Sequence, residues 1–229
     1  NVNLTILMFN NRIYGLTKGQ YSPTSEVGKV TKSTPMGSID PPFNPLSVAL
    51  GAEASFVART HDLDRKHMME TFKAAHAHRG ASFVEIYQNC NVFNDGVFAS
   101  ITKKDVREDM LIELQHGKPI LFGSENQYGV ARRPEGVVIV DVAEVGIEYV
   151  LVHDETNPVL SMLVAQMQPT LPTPVGVLRA VEAPAFEERV VGQMEEAIDT
   201  GGSGRLEELL HRGDTWTVGG AGPSEQVSP

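Results

Sequence analysis

From Leu4 to Thr24 the chain reads LTILMFNNRIYGLTKGQYSPT. Its first six residues are almost all apolar, and such a run predicts a buried strand of a parallel sheet. Asn10 and Asn11 end the run abruptly, and open α/β sheets bind ligands just beyond the carboxyl ends of such strands. An amide oxygen followed by irregular backbone carbonyls suits Mg²⁺, which combines a few protein ligands with phosphate oxygens.

The loop after this strand carries two glycines and a lysine. Gly15 and Gly19 allow a bulky group to approach the backbone closely, and Lys18 adds a positive charge. Taken singly, each residue also fits an ordinary strand-to-loop turn, in which Asn caps a helix and glycines serve tight geometry. The uninterrupted string is far more specific than its separate residues.

The string resembles the second half of the thiamine-diphosphate motif, which opens with Gly-Asp-Gly and closes with Asn-Asn. The sequence from Tyr14 to Gln20, followed by Ser22-Pro23-Thr24, resembles that of the β subunits of 2-oxoacid:ferredoxin oxidoreductases. Within this family it resembles the 2-oxoglutarate (KorB-like) type. The similarity continues through Cys90 to the stretch Asp214–Val218. The resemblance implies an α/β thiamine-diphosphate-binding fold with a mostly parallel sheet flanked by helices, plus a smaller C-terminal α+β region.

The resemblance also implies a role for each matching position in the loop. Asn11 would coordinate Mg²⁺ through its side chain, and Ile13 through its backbone carbonyl. Lys18 would face the substrate carboxylate or coenzyme A. The residues implied to line the diphosphate of the cofactor are Gly15, Leu16 and Thr17.

Cys90 is the single cysteine of the chain. From the residues alone, an isolated cysteine at a strand end is best interpreted as a small buried hydrophobe. The resemblance instead implies a cluster ligand, because the family places such a cysteine just before an Asn-Asp-Gly loop like Asn94-Asp95-Gly96. A [4Fe–4S] cluster needs four thiolates, so Cys90 would be the fourth ligand.

The start of the chain leads to a further expectation. Asn1 enters directly on the first strand, and no Gly-Asp-Gly precedes it. The resemblance therefore implies that an N-terminal portion is missing here. That portion would hold the aspartate that shares Mg²⁺ with Asn11, and the remaining cysteines.

Composition narrows the class of protein only modestly. The net charge is −10 over 229 residues, with a pI near 5.2, which argues against a nucleic-acid or membrane-surface partner. No apolar run is long enough to span a bilayer. A single cysteine suits a reducing cytoplasm, where we expect the protein to be located.

The order of the predicted elements suggests three regions. Residues 1–95 are expected to be the C-terminal part of the thiamine-diphosphate-binding domain, residues 96–218 a C-terminal extension that contacts another subunit, and residues 219–229 a disordered tail. In the first region a helix begins at Asn44-Pro45, and Asp62 or Asp64 caps the next helix. Strands on either side of that second helix predict a parallel crossover.

The histidines do not form a predicted metal site. His61 and His67 lack partners at metal-ligand spacing and are expected to be solvated. His153 ends an apolar run, where it is interpreted as a polar residue that terminates the strand or as part of a subunit contact.

The resemblance implies oxidative decarboxylation of a 2-oxoacid to an acyl-coenzyme A and carbon dioxide, with electrons passing to ferredoxin. The implied cofactors are thiamine diphosphate, Mg²⁺ and a [4Fe–4S] cluster, and the implied partner is an α subunit. Two alternatives stay open. One is a non-oxidative thiamine-diphosphate decarboxylase or synthase, and the other is a non-catalytic assembly fragment that binds the α subunit.

Overall fold

The computed structural model describes residues 1–134, 136–167, 171–214 and 216, and at Thr17 it describes the backbone alone. Contacts between Cα atoms divide the chain into two compact units, Asn1–Glu187 and Glu188–Pro229. The strands are β1 (Leu4–Asn10), β2 (Phe56–His61), β3 (Ala81–Tyr87), β4 (Leu111–Glu113), β5 (Leu121–Phe122), β6 (Tyr128–Arg133), β7 (Gly136–Asp141) and β8 (Thr173–Ala180). The α-helices are α1 (Pro45–Gly51), α2 (Arg65–Ala77), α3 (Ala99–Thr102), α4 (Arg107–Met110), α5 (Val142–Val145), α6 (Pro158–Ala165), α7 (Phe186–Gly201) and α8 (Leu206–Leu210).

The first unit contains two sheets. The larger has the strand order β1-β3-β2-β8-β4, and three of its four neighbouring pairs are parallel. The smaller sheet, β5-β6-β7, is antiparallel throughout. The prediction of a mostly parallel sheet flanked by helices is therefore confirmed. The boundaries predicted at residues 95 and 218 stay predictions, and the predicted tail at 219–229 lies outside the described residues.

The helices of the first region form where local chemistry dictates. Asn44 caps α1 by accepting a hydrogen bond from the backbone N–H of Ser47 at 3.2 Å, with Pro45 at the first helical position. Asp64, rather than Asp62, caps α2 and accepts from the N–H of His67 at 3.0 Å. This bond to the helix N-terminus is the main reason that the pKa of Asp64 is lowered.

The larger sheet is covered on both faces around its centre. All six residues of β2 are buried. Val57 packs into a core with Leu46 of α1 and Val164 of α6, whereas Ala58 packs into a second core with Ala75 of α2. Alternate residues of a strand point to opposite faces, so β2 requires an apolar partner on each side.

The prediction that β1 is buried is wrong. It pairs in parallel with β3 as expected, but it is the edge strand of the sheet. Leu4, Ile6 and Phe9 are 54, 47 and 58% exposed. The two cores lie over β2 and β3 instead, and a strand with one neighbour and no covering layer stays open to solvent.

The second unit carries most of α7 together with α8. No residue of α7 is buried, and its apolar side chains Val191, Met194 and Ile198 are about half exposed. Within the described residues, no helix is long and apolar enough to cross a membrane.

Candidate functional site

Three parallel strands of the larger sheet end in register. Asn10 at the end of β1 lies opposite Tyr87 of β3, which lies opposite His61 of β2. The loops that follow β1 and β3 therefore meet along the edge of the sheet that is formed by the carboxyl ends of these strands. This is the edge at which open α/β sheets bind their ligands.

A buried polar network underlies this edge. The Nδ2 of Asn10 donates to Oε1 of Glu85 at 2.7 Å, and Nε of Arg59 donates to Oε2 of the same carboxylate at 2.8 Å. Arg59 and Glu85 are each 1% exposed. Burial opposes the charge of Arg59, but Tyr87 and Glu85 outweigh it and raise the arginine pKa, so the buried guanidinium keeps its charge.

Arg12 lies above this network in a strained conformation. Its φ is +53°, in the left-handed region that residues other than glycine rarely adopt. The Oδ1 of Asn10 accepts from its N–H at 3.1 Å, and its carbonyl accepts from Oγ of Ser25 at 2.6 Å. Thr24 Oγ1 also donates to Asn10 Oδ1 at 2.7 Å, so one amide ties together both ends of the loop.

Asn11 and Ile13 are the two residues predicted to bind Mg²⁺. Asn11 is partly exposed, and its Oδ1 accepts from the N–H of Ile13 at 3.3 Å. The carbonyls of Asn11 and Arg12 accept from Nδ2 of Asn94 at 2.9 and 3.3 Å. Among the described residues no donor meets the Ile13 carbonyl, so one backbone oxygen of this turn has capacity for another ligand.

Gly15 and Gly19 are predicted to allow a bulky group to approach the backbone. In the structure the group that approaches them is the side chain of Phe93. A Cβ on Gly19, whose φ is +92°, would lie 3.1 Å from Cδ1 of Phe93, and one on Gly15 would lie 3.7 Å from its Cε2. The backbone of Tyr14 and Gln20 closes this loop by two hydrogen bonds, with a 3₁₀ turn over Leu16–Lys18 between them. The two glycines therefore let the loop that carries Lys18 pack against the loop that follows Cys90.

Cys90 is partly exposed and lies in a turn closed by the backbone bond from Asn94 N–H to Cys90 O at 2.9 Å. Backbone N–H groups of Phe93, and less strongly of Val92 and Asn94, lower the pKa of the thiol, against the opposing effects of burial and of Asp95. Amides directed at sulfur stabilise the thiolate, which is the form that binds metal. The described residues contain no group of three or more Cys, His, Asp or Glu side chains that could hold a metal ion.

The loop around Cys90 is braced from the ends of β2 and β3. Asp62 Oδ2 accepts from the N–H of Asn89 at 2.9 Å, and Nδ2 of Asn89 donates to Asp95 at 2.8 Å. The Oδ1 of Asn89 accepts from the N–H of Gly96 at 2.8 Å. Asp62, which does not cap α2, therefore fixes the position of the Cys90 loop.

A stack of cations and aromatic rings crosses the same edge. Arg59 lies 5.0 Å from the ring centroid of Tyr87, and this ring stacks on Phe98 at 4.0 Å with an interplanar angle of 9°. The guanidinium of Arg12 lies 4.9 Å from the Phe98 centroid. Cation–π contacts of this length are attractive, so the stack fixes the position of the Arg12 guanidinium.

Three cavities open at this edge. A cavity of 620 Å³ is lined by Asn11, Ile13 and Tyr14 among others, and a second of 460 Å³ by Arg12, Glu26, Ser47 and Tyr87 among others. Both include Asn10, Arg12, Thr24 and Phe43, so they are neighbours. Lys18 lines a third cavity of 420 Å³, together with Lys32 and Phe93.

One histidine is placed differently from its prediction. His61 is 5% exposed rather than solvated, because it ends the fully buried strand β2. Burial, and then the nearby His67, lower its pKa. His153 is also buried, with Nε2 2.8 Å from the carbonyl oxygen of Val177.

Sequence reasoning missed the buried network although a signal was present. Arg59 and Glu85 each place a charge inside a strand, and parallel strands buried on both faces are normally apolar throughout. Opposite charges at the fourth and fifth positions of the two strands face each other in register. A charge inside each of two predicted neighbouring strands is thus a detectable sign of a buried pair.

Comparison with known proteins identifies the class of this domain. Residues 1–86 match the family model described as "Thiamine pyrophosphate enzyme, C-terminal TPP binding domain". In this match and in its parallel sheet, the region is similar to the C-terminal domain of thiamine pyrophosphate enzymes. The predicted fold class is confirmed.

The sequence relatives narrow the class further. The chain is 48% identical over 224 residues to "2-oxoglutarate oxidoreductase subunit KorB" of Mycobacterium tuberculosis, a match that covers 95% of this chain and 60% of the relative. It is 43% identical over 95 residues to "2-oxoacid:ferredoxin oxidoreductase subunit beta" of Saccharolobus solfataricus, covering 42% of this chain and 31% of that one. The predicted resemblance is confirmed: the chain is similar to that KorB subunit along nearly its whole length.

A solved structure supports the same assignment. The 2-oxoglutarate:ferredoxin oxidoreductase of Magnetococcus marinus, determined with 2-oxoglutarate, coenzyme A and succinyl-CoA bound, matches with a TM-score of 0.65 and 27% identity. The match covers 92% of this chain and 57% of that one. The chain therefore spans about three fifths of the length of the relatives that it matches over most of its own length.

Proposed function

We propose that this chain is part of the β subunit of a 2-oxoglutarate (2-oxoacid):ferredoxin oxidoreductase. The whole enzyme would convert a 2-oxoacid and coenzyme A to acyl-coenzyme A and carbon dioxide, and the two electrons released would pass to ferredoxin. The observation that carries this proposal is the meeting of two loops at one sheet edge. One loop holds Asn11 and Ile13, and the other holds Cys90, whose thiol has a lowered pKa.

The residues at this edge fit the cofactors that the proposal requires. Bound thiamine diphosphate would supply a carbanion-stabilising ring, and a [4Fe–4S] cluster would supply one-electron chemistry. Asn11 through its amide oxygen and Ile13 through its free carbonyl would hold Mg²⁺, with phosphate oxygens completing the shell. Gly15, Leu16 and Thr17 would line the diphosphate.

Cys90 fits the role of one cluster ligand. The backbone amide of Phe93, and then those of Val92 and Asn94, stabilise the thiolate, and hydrogen bonds to ligand sulfur tune the potential of such clusters. One thiolate among the described residues cannot hold a cluster alone, so three further ligands would come from the rest of the protein.

Lys18 would bind an anionic substrate. Lys18 and Lys32 line the same cavity, and two ammonium groups suit the phosphates of coenzyme A better than a single carboxylate. This supports the coenzyme A alternative for Lys18. The proposed partners are therefore the α subunit, ferredoxin, a 2-oxoacid and coenzyme A, and we propose a cytoplasmic location for the complex.

The decisive experiment uses the full-length β subunit assembled with its α subunit. We expect ferredoxin reduction that requires both a 2-oxoacid and coenzyme A, together with brown iron–sulfur absorbance. Carbon dioxide release without ferredoxin reduction would favour a non-oxidative enzyme. Failure to bind thiamine diphosphate at all would favour an assembly role.

Two variants separate the two cofactor sites. Asn11→Ala should weaken thiamine diphosphate and Mg²⁺ binding together while iron content persists. Cys90→Ser should lower iron content and ferredoxin reduction while thiamine diphosphate binding persists. Full cofactor affinity in the first variant, or unchanged iron in the second, would refute the corresponding assignment.

A further inference from the structure

The inference concerns Arg12 and rests on the proposed function. The backbone of Arg12 is fixed at both ends: Asn10 Oδ1 accepts from its N–H, and Ser25 Oγ and Asn94 Nδ2 donate to its carbonyl. Its guanidinium is held over the ring of Phe98. A residue kept at φ +53° by this many contacts is pre-organised, and such strain concentrates at functional positions.

The charge of Arg12 is the uncompensated one in the 460 Å³ cavity. Glu85 pairs with Arg59 at 2.8 Å, and Glu26 pairs with Lys29 at 3.2 Å. Among the described residues, no carboxylate oxygen lies within 4.0 Å of the Arg12 guanidinium. The cavity therefore offers one unpaired positive charge to an occupant.

The cavity is also built for a polar occupant. The Oγ of Ser47 and Oε2 of Glu26 are buried, line the cavity, and have no hydrogen-bond partner in the described part of the chain. Buried polar atoms are normally paired, so the Ser47 hydroxyl is available to donate to a ligand carboxylate, whereas Oε2 of Glu26, which only accepts, needs a water as donor. Phe43 and Tyr87 add aromatic wall, and the volume lies within the range of small-molecule sites.

This cavity adjoins the one that holds Asn11 and Ile13. The two share Asn10, Arg12, Thr24 and Phe43, so Arg12 lies at the border between them. A substrate that reacts in the 620 Å³ cavity could extend its far end past Arg12 into the 460 Å³ cavity.

We propose that Arg12 determines substrate specificity by binding the distal carboxylate of a dicarboxylic 2-oxoacid. The carboxylate next to the keto group leaves as carbon dioxide and loses its negative charge in the reaction. A fixed cation at that group would stabilise the ground state more than the transition state and so slow the step. The distal carboxylate persists throughout, so pairing with Arg12 lowers the energy of both states and selects the substrate without that penalty.

The test is made in the assembled α and β subunits. Arg12→Asn removes the charge but keeps a residue that tolerates the left-handed conformation, and Arg12→Lys keeps a charge without the planar fork. The control is Arg65→Gln, an exposed arginine at the start of α2. Two substrates are compared: 2-oxoglutarate, and 2-oxobutyrate, which lacks the distal carboxylate.

For Arg12→Asn we expect kcat/KM for 2-oxoglutarate to fall about 10- to 100-fold relative to that for 2-oxobutyrate, the size of one lost charge-assisted contact. Arg12→Lys should recover part of the ratio, and Arg65→Gln should leave it unchanged. Thiamine diphosphate affinity should not move. An unchanged ratio, whether from equal losses or from no loss, would overturn the proposal. Weaker cofactor binding alone would also overturn it, by assigning Arg12 to the diphosphate.

A second measurement separates this proposal from the proposed function. A wild-type complex that oxidised no 2-oxoacid would defeat the proposed function alone. Calorimetric binding of glutarate, which carries two carboxylates and no keto group, would still test Arg12. Weaker glutarate binding in Arg12→Asn than in Arg65→Gln supports the proposal, and equal binding overturns it.

Discussion

The Nδ2 of Asn10 donates a 2.7 Å hydrogen bond to Oε1 of Glu85, joining the last residue of β1 to the interior of β3. The other oxygen of this carboxylate pairs with Arg59 of β2. One buried carboxylate therefore links all three strands whose ends carry the site. The Oδ1 of Asn10 then receives Thr24 and the N–H of Arg12, so the loop geometry depends on a charge inside the sheet.

The first prediction tests this network. Glu85→Gln keeps the shape of the side chain but leaves the buried Arg59 without its carboxylate. Breaking one partner of a buried pair costs about 3–5 kcal/mol, so the urea midpoint of the full-length protein should fall clearly. Glu70→Gln on the exposed face of α2 is the control and should leave the midpoint almost unchanged. Similar midpoints for the two variants would contradict the structural importance of the pair.

The second prediction compares two glycines with similar φ angles. Gly19 and Gly28 have φ of +92° and +83°, but a Cβ on Gly19 meets Phe93 at 3.1 Å, whereas one on Gly28 meets nothing within 4 Å. Alanine at either position should cost about 1–3 kcal/mol of backbone strain, because both φ values are ones that residues with a Cβ rarely adopt. Only Gly19→Ala should also shift the loop that follows Cys90. Alkylation of Cys90 in the iron-free protein measures that shift, and equal alkylation rates in both variants would argue against it.

The third prediction concerns the ionisation of Cys90. Because the backbone amide of Phe93, and then those of Val92 and Asn94, favour the thiolate, iodoacetamide should modify the folded, iron-free protein with a pH midpoint below the usual thiol value. A depressed pKa stabilises the folded state above the pKa of the unfolded thiol, and this contribution disappears as pH falls through the folded value. Urea-unfolded protein is the control, and the same midpoint in both states would refute the prediction.

The fourth prediction concerns Lys18, whose φ of +69° is also left-handed. Lys18→Asn tolerates that conformation while removing the charge. In the assembled enzyme it should raise KM for coenzyme A about 2- to 5-fold, the size of an exposed ionic contact, and Lys32→Gln should act in the same direction. Lys104→Gln, an exposed lysine that does not line this cavity, is the control. A KM increase confined to the 2-oxoacid would instead favour the alternative in which Lys18 binds the substrate carboxylate.

The sequence by itself determined the elements whose signals are local. The apolar run Leu4–Phe9 forms a strand, Asn44-Pro45 begins a helix, and the string around Asn11 indicated the thiamine-diphosphate class. Strand period, helix caps and a contiguous motif all lie within a few neighbouring residues. Such features can be predicted from the sequence without knowledge of the tertiary structure.

Only the tertiary structure decided the relations between distant segments. The antiparallel placement of β8 beside β2, the exposure of β1 at the edge, and the contact of Phe93 with Gly19 depend on segments far apart in the chain. The same holds for Arg12. In the sequence it is an ordinary loop cation, and only the fold places it against Phe98 and beside the cavity. Burial and pairing are properties of the space around a residue, and the packing of the whole sheet creates that space.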